Sequence, residues 1–427
     1  MTAAPRRLTG LEHAFVTYEA RAGNLQIGGL SSFAGPTPAL DDVRRSVAAR
    51  LGALPELGMA LRRTGRRLDW VPREVDLTRH VRERVAEQAE WPAVADEIMA
   101  RRLVRDAPCW ELWLLRGRSA DEWAILFKAH HALLDGAAMI EATCRIAGHP
   151  RRTPAAARPR PARRRGHDLL TVVRGAVRYA ARFLPLASHP FTTKGRTGHR
   201  RFAWASLPMA RLLAVAARQG CTVNDLFLAA LATALREWPH TPWRGSIRPV
   251  WTLVPADLHE RDGDHELSTK VVNLRVALPC DDPDPHRRLR TISAAMAAAK
   301  GSGQVGVAGA ATRALPGWFV RAVFAVTFSR WHIDLLASNV RGPQGLLHYL
   351  GAPLTRMVPL GFVPRRHPLA AYLMTHGDQV CVGFAVDSTL PDGQELCRLW
   401  VRALLELDEP DVDGSQDQCT PPSIAHR

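Results

Sequence analysis

Strands alternating with helices along most of the chain predict an α/β protein built on large sheets. Three observations carry this. Short apolar runs such as Trp110-Glu-Leu-Trp-Leu-Leu115, Trp123-Ala-Ile-Leu-Phe127 and Val271–Leu278 have the length and make-up of strands. Segments such as Leu207–Arg218 and Asp225–Glu237 read as helices, with Gly220 closing the first and Thr222 or Asn224 capping the second. An arginine-rich run near the middle divides the chain into halves of similar size, which predicts a cleft between them.

From the start of the chain, residues 8–20 read as a short helix passing into a strand, and 24–34 continue as strand until Pro36 and Pro38 break it. Leu40–Gly52 is a helix, with Asp41 and Asp42 in its first turn and Arg50 near its end, which suits the helix dipole. Residues 59–71 read as a hairpin around Thr64-Gly65, and the run from Asp76 to His80 leads into a helix near 92–104. Trp110–Leu115 and Trp123–Phe127 form a hairpin around Gly117-Arg-Ser119, and 132–142 has the make-up of a helix start.

Residues 151–166 carry seven arginines, three prolines and no acid, the make-up of a solvated linker. Leu169–Leu184 then reads as a helix with Arg174, Arg178 and Arg182 on one face. It can lie on a membrane interface, or be an ordinary surface helix covering a core. Beyond 198, strands are predicted at Arg201–Ala205, Arg248–Leu253, Val271–Leu278, Leu335–Val340, Met357–Val363, Leu369–Thr375 and Gln379–Val386. Helices are predicted at Leu207–Arg218, Asp225–Glu237, Leu289–Ala299 and Leu396–Leu407. The predicted units are therefore a domain at 1–148, a basic linker at 149–198, a second domain at 199–407 and a disordered acidic tail at 408–427.

The seven cysteines are scattered with no Cys-x-x-Cys pair, which argues against a disulfide framework or structural zinc and suits a reducing cytoplasm. Met1–Gly10 has no apolar core of a signal peptide. The longest apolar stretch, Trp318–Trp331, is broken by Arg321 and Arg330, so no transmembrane helix is expected. The net charge of +16 rests on arginine and calls for an anionic partner: nucleic acid, a membrane surface or an anionic substrate. Nucleic acid is disfavoured, since no binding motif is present and the basic residues gather in the linker instead of interleaving with aromatics.

The stretch that bears chemistry is Phe127-Lys-Ala-His-His-Ala-Leu-Leu-Asp-Gly136, at the end of a buried strand. Adjacent strand residues point to opposite sides, so one metal cannot easily take both His130 and His131, and no metal site is expected. Two readings stay open. The pair could be satisfied structurally by backbone hydrogen bonds, or one histidine could face a substrate as general base. Asp135 is too near in sequence to be assumed a triad partner, and Gly136 lets the backbone turn without a side chain at the mouth. There is no Gly-x-Ser-x-Gly elbow, dinucleotide fingerprint or Walker A loop. A histidine base here would therefore activate a substrate's own hydroxyl, amine or thiol, with no covalent enzyme intermediate.

The run His130-His-Ala-Leu-Leu-Asp-Gly136 matches the His-His-x-x-x-Asp-Gly motif of CoA-dependent acyltransferases. Leu8-Thr-Gly-Leu-Glu-His-Ala-Phe15, Asp106-Ala-Pro-Cys-Trp-Glu-Leu-Trp113, Thr222-Val-Asn-Asp225, Val254-Pro255, Asn273 and Ser338-Asn-Val-Arg-Gly-Pro343 narrow it. In order and spacing, from about residue 8 to 407, the chain resembles the bacterial wax ester synthase/diacylglycerol acyltransferase family. The resemblance implies two chloramphenicol-acetyltransferase-like α/β domains, with mixed sheets flanked by helices and an active-site tunnel between them. It implies transfer of a fatty acyl group from acyl-CoA, a substrate and not a cofactor, to a long-chain alcohol or diacylglycerol. His131 would be the base, with His130, Asp135 and Gly136 in support. Asn224, Asp225, Asn273, Ser338 and Asn339 are candidates for shaping the cleft, and Asn273 and Ser338 also for stabilising the oxyanion. The positive charge would attract CoA phosphates or hold a cytoplasmic enzyme on a membrane or lipid-droplet surface. Cys109 stands where the family has Leu, and Thr375-His376 where it has Ser-Tyr. Two other readings are therefore kept: a condensation-like enzyme acting on a specialised-metabolite hydroxyl or amine, and a catalytically weak lipid-surface protein.

Overall fold

A computed structural model of the chain describes residues 4–22, 24–65, 67–117, 121–149, 199–241, 249–257, 271–301, 317–343, 345–391 and 393–409. The predicted linker with its Leu169–Leu184 helix, and the tail beyond 409, lie outside the described residues. In the first half the elements are β1 (Arg6–Arg7), α1 (Gly10–Ala22), β2 (Gln26–Ala34), α2 (Leu40–Leu51), β3 (Met59–Thr64), β4 (Arg67–Pro72), α3 (Leu77–His80), β5 (Val81–Val85), α4 (Trp91–Ala100), β6 (Trp110–Arg116), β7 (Glu122–His130) and α5 (Gly136–Ile146). The second half has β8 (Arg200–Pro208), α6 (Met209–Arg218), α7 (Val223–Glu237), β9 (Val250–Asp257), β10 (Val271–Leu278), α8 (Pro285–Gly301), α9 (Gly317–Thr327), β11 (Leu335–Arg341), β12 (His348–Tyr349), β13 (Ala352–Leu360), β14 (Leu369–His376), β15 (Gln379–Asp387) and α10 (Gly393–Glu406).

These strands form two six-stranded mixed sheets, in the orders β12-β13-β2-β7-β6-β5 and β10-β9-β11-β14-β15-β8, with a small sheet β1-β4-β3 beside them. The α/β class and the mixed sheets are as expected. Two strands of the second half cross over: β13 pairs antiparallel with β2 from Leu354↔Phe33 to Leu360↔Gly28, and the short β12 pairs with β13, so both extend the first sheet. The apolar side chains form two clusters. The outer one fills the space between the second sheet and helices α6, α7, α8 and α10. The other covers the first half and also takes Phe202, Leu253, Leu336, Tyr372 and Met374 from the facing side of the second sheet.

Several boundaries differ from the sequence reading. Residues 10–22 are helical throughout, with no passage into strand before 22. Leu11, Phe15 and Tyr18 recur at helical spacing, and Phe15 and Tyr18 pack on Phe324 of α9. Leu207 and Pro208 end β8, and α6 starts only at Met209. β9 runs through Pro255 to Asp257, and β13 begins at Ala352, five residues before the predicted start. The parallel strand β5, whose Val81-Arg-Glu-Arg-Val85 is mostly polar, went unpredicted for want of an apolar run.

One buried charge ties a helix to the strand that carries the motif. Lys128 of β7 is fully buried, and its Nζ donates to the carbonyls of Ile98 (2.8 Å) and Arg101 (2.6 Å) at the C-terminal end of α4. A cation suits that end of a helix. Burial pulls the Lys128 ammonium down to about 8, against the attraction of Glu111 3.6 Å away.

Candidate active site

Both histidines stand where β7 gives way to a tight turn before α5. His130 is its last residue, and the backbone N–H groups of Leu133 and Leu134 return to the His130 carbonyl at 2.8 and 3.2 Å. The His130 ring is buried. Its Nδ1 accepts from the Ala132 N–H at 3.0 Å, which fixes the neutral ring as the Nε2–H tautomer. That Nε2 lies 3.3 Å from Oε2 of Glu19, a buried carboxylate of α1. Arg105 donates to the same Oε2 at 2.9 Å, and the Leu25 N–H reaches Oε1 at 3.4 Å. Burial pushes the Glu19 carboxyl up, but His130 and Arg105 together outweigh it and hold the group down at about 2.

His131 has a different setting. Its backbone N–H donates to the Leu25 carbonyl at 3.2 Å, on the segment that also binds Glu19. The residue is half-buried, and its ring stacks on Phe15 (centroids 4.3 Å apart, planes 12° apart) and meets Phe362 edge-on at 5.3 Å. Burial in these surroundings pulls His131 down to about 4; a hydrogen bond with its own backbone works the other way and the charge of His130 adds to the fall. The ring is therefore neutral at pH 7 and able to accept a proton. Phe15 and Glu19 are four residues apart on α1, so one helix face serves both histidines.

Asp135 is buried and caps α5: its Oδ1 accepts from the Ala138 N–H at 2.9 Å. Gly136 is the first helical residue. A Cβ there would lie 3.0 Å from Cγ2 of Val340 on β11, so the glycine lets α5 approach the second sheet closely.

Strand alternation sorts the remaining candidates. On β11, Leu336 and Val340 belong to the shared cluster and Leu335 and Ala337 to the outer one, which puts Ser338 on the side facing the first half and Asn339 on the helix side. Asn339 Nδ2 donates to Asn224 Oδ1 at 3.4 Å. Asn224 is thus not the cap of α7. Thr222 caps it, in a reciprocal box where Thr222 Oγ1 accepts from the Asp225 N–H (3.2 Å) and Asp225 Oδ2 from the Thr222 N–H (3.0 Å). Ser338 lies opposite Tyr372 in register, and the Tyr372 hydroxyl donates to the carbonyl of Phe362, whose ring meets His131. Asn273 pairs with Pro255 at the far edge of the second sheet, two strands from β11. Its neighbours Leu274 and Val276 point into the outer cluster, so Asn273 shares the inward side with Ser338.

Glu19, Arg105, Phe15 and Phe362 were not singled out by sequence reasoning. Glu19 left a signal, an acid four residues from Phe15 on an otherwise apolar helix stripe. It is invisible as long as residues 15–20 are read as strand. Among the described residues no cluster of His, Cys, Asp or Glu could hold a metal ion. A hollow of about 330 Å³ is lined by Ala205, Cys397, Arg402 and their neighbours on the helix side of the second sheet, away from His131.

Two mixed sheets over a shared core, with a neutral histidine on the turn between a central strand and the helix that abuts the second sheet, define a protein of the His-His-x-x-x-Asp-Gly acyltransferase class. The wax ester synthase/diacylglycerol acyltransferase catalytic domain matches residues 8–227, and the C-terminal domain of the same family matches 268–408; the chain belongs to that family and is an acyltransferase. It is 27% identical over 441 residues to a probable diacylglycerol O-acyltransferase of Mycobacterium tuberculosis, covering 92% of this chain and 93% of the relative. The fold is shared with the wax ester synthase/diacylglycerol acyltransferase of Marinobacter aquaeolei VT8 (TM-score 0.65, 24% identity, 94% of this chain and 98% of that one). It is shared also with the starter condensation domain of rhizomide synthetase, solved with C8-CoA (TM-score 0.65, 12% identity, 95% and 94%).

Proposed function

We propose that the protein moves a fatty acyl group from acyl-CoA to the hydroxyl of a long-chain alcohol or diacylglycerol, with His131 as general base. The observation that carries this reading is the His131 ring, held neutral on a pinned turn with an aromatic wall of Phe15 and Phe362 against it. A neutral imidazole takes the hydroxyl proton as the oxygen attacks the thioester carbonyl. The tetrahedral oxyanion collapses, the C–S bond breaks, and the CoA thiolate leaves with the proton returned by His131. The products are the ester and free CoA. Apolar walls suit the acyl chains of both substrates, and C8-CoA in the similarly folded condensation domain supports a CoA thioester as donor. His130, Asp135 and Gly136 act through the turn and not on the substrate. Ser338, on the inward side of β11, is the better placed of the oxyanion candidates, since Tyr372 and Phe362 link its row to His131.

His131→Ala tests the base. Acyl transfer from palmitoyl-CoA to hexadecanol or dioleoylglycerol should fall by roughly a hundredfold or more, with the circular dichroism spectrum and thermal midpoint preserved. Near-wild-type transfer would remove His131 from the mechanism. In the intact enzyme, kcat/KM should be level through neutral pH and decline only on the acid side of 6.5, toward the His131 value of about 4, because protonation removes the base. No described helix is long and apolar enough to cross a membrane. A water-insoluble acceptor would be met at a lipid surface.

A further inference from the structure

The segment behind the histidine turn is held by both halves of the molecule. Asn24 and Leu25 join α1 to β2, and Gln26, the first residue of β2, lies opposite His130 in register. Two successive peptide groups are involved. The one between Leu25 and Gln26 faces the turn: its carbonyl accepts the His131 N–H at 3.2 Å, and its N–H donates to Asn24 Oδ1 at 3.0 Å. Nδ2 of the same Asn24 side chain donates to the Met99 carbonyl of α4 at 2.6 Å. The peptide between Asn24 and Leu25 is held at its two ends by opposite charges. Its N–H donates to Glu19 Oε1 at 3.4 Å, and its carbonyl accepts from the guanidinium of Arg200.

Arg200 is the first residue of β8, in the second sheet. Phe202 and Trp204 of the same strand pack in the shared core and Ala203 in the outer one, so alternation turns Arg200 toward the first half. Its backbone is fixed on two sides. Arg200 pairs with Asp387 of β15, and two residues on the Phe202 N–H donates to Asp96 of α4 at 2.7 Å. Burial pulls the Arg200 guanidinium down to about 10, against the opposing pull of Tyr372, Asp387 and Glu19, so the group is charged at pH 7.

We propose that Arg200 is a positioning residue for acyl transfer, through which the second half of the molecule sets the place of His131. A peptide group is planar and stiff, so a charge-assisted bond to its oxygen also fixes the direction of its N–H. Donation to the carbonyl polarises the group and strengthens the bond from its N–H to Glu19. Arg200 and Glu19 thereby hold one peptide plane between them, and the next plane presents the Leu25 carbonyl to the His131 N–H. The base stays aimed only while the start of β8 lies against the first half. Arg200 acts through residues 24–26 and not on the substrate. The inference rests on the reading of His131 as general base.

Arg200→Met in the full-length protein keeps the stem and removes the charge with its donors. Its kcat for transfer from palmitoyl-CoA to hexadecanol should fall roughly tenfold to a hundredfold, with both KM values within about twofold of wild type. A single donated bond, unlike a bidentate pair, can be taken over by an ammonium, so Arg200→Lys should bring kcat back to within about threefold of wild type. In hydrogen exchange read by mass spectrometry, peptides covering 20–27 and 127–134 should exchange about tenfold faster in Arg200→Met, while those of β14 and β15 exchange as in wild type. The proposal is overturned if Arg200→Met keeps the wild-type kcat. It is overturned too if that variant raises a KM with kcat unchanged, since Arg200 would then bind substrate. If Arg200→Met does not fold, Arg200→Lys decides alone: a folded lysine variant about tenfold or more below wild type in kcat overturns the proposal. The two readings fail separately. Unchanged transfer in His131→Ala would sink the base and leave the exchange result standing, whereas unchanged protection at 127–134 in Arg200→Met would sink the role of Arg200 whatever His131 does.

Discussion

Glu19 gives the two neighbouring histidines different chemistry. Its carboxylate lies 3.3 Å from His130 Nε2 while the Ala132 N–H donates to Nδ1, so the ring is braced on both sides and the turn is pinned. His131, facing Phe15, has its proton affinity lowered instead. Glu19 is then a positioning residue, acting on the base through the turn. Glu19→Gln keeps the shape and loses the charge. It should lower kcat roughly tenfold to a hundredfold with little change in KM, since displacement of a catalytic group by a fraction of an ångström is felt in the chemical step. An equal loss for Arg105→Ala, with acceptor KM unchanged, would tie both to the same function. The Glu19 carboxyl also has a stability signature. Its folded value of about 2 lies below the ordinary 4.5, so its contribution is present above pH 4.5 and lost between 4.5 and 2. Urea midpoints measured across that range should fall more steeply in wild type than in Glu19→Gln. Parallel slopes would show that Glu19 is not paired as described.

At the level of elements, Gly136 and Val340 show how α5 and β11 are brought together. Gly136→Ala sets a methyl 3.0 Å from Val340 Cγ2, and should cost about 1–3 kcal/mol by overpacking. Val340→Ala in the same chain should recover most of the loss, measured by chemical denaturation. A double variant no more stable than Gly136→Ala alone would place the strain elsewhere. The motif itself was legible in the sequence, because a short local pattern carries it. Its partners were not. Phe15 and Glu19 lie more than a hundred residues before the histidines, on a segment whose β-branched and aromatic make-up (Phe15, Val16, Thr17, Tyr18) has strand propensity and becomes helical through packing on α9. Asn224 offers a similar lesson. Thr222 and Asn224 both suit a cap; the local box with Asp225 assigns it to Thr222, and only the tertiary fold shows that Asn224 instead meets Asn339.

Across the whole molecule, the two halves share a core, and the exchange of β13 is the reason. Nothing local announces it. Met357–Val363 reads as one more strand of the second half, and the pairing of β13 with β2 depends on contacts over three hundred residues apart in sequence. The strand also touches the second sheet. The Pro359 carbonyl approaches Gly383 of β15 so closely that a Cβ there would lie 2.9 Å from the oxygen. Asp96 of α4 accepts from the Phe202 N–H of β8 at 2.7 Å, and Arg200 donates to the Asn24 carbonyl, so polar contacts cross the same seam. A seam of this kind makes the sheets one cooperative unit and not two domains that open separately. Gly383→Ala should therefore push β13 off its bed and loosen both sheets. In hydrogen exchange read by mass spectrometry, peptides spanning β2 and β7 should lose protection together with those spanning β14 and β15. Faster exchange confined to β14 and β15 would mean that the halves are energetically separate. The histidine turn, at the end of β7 and against β11, would then be held from one side only.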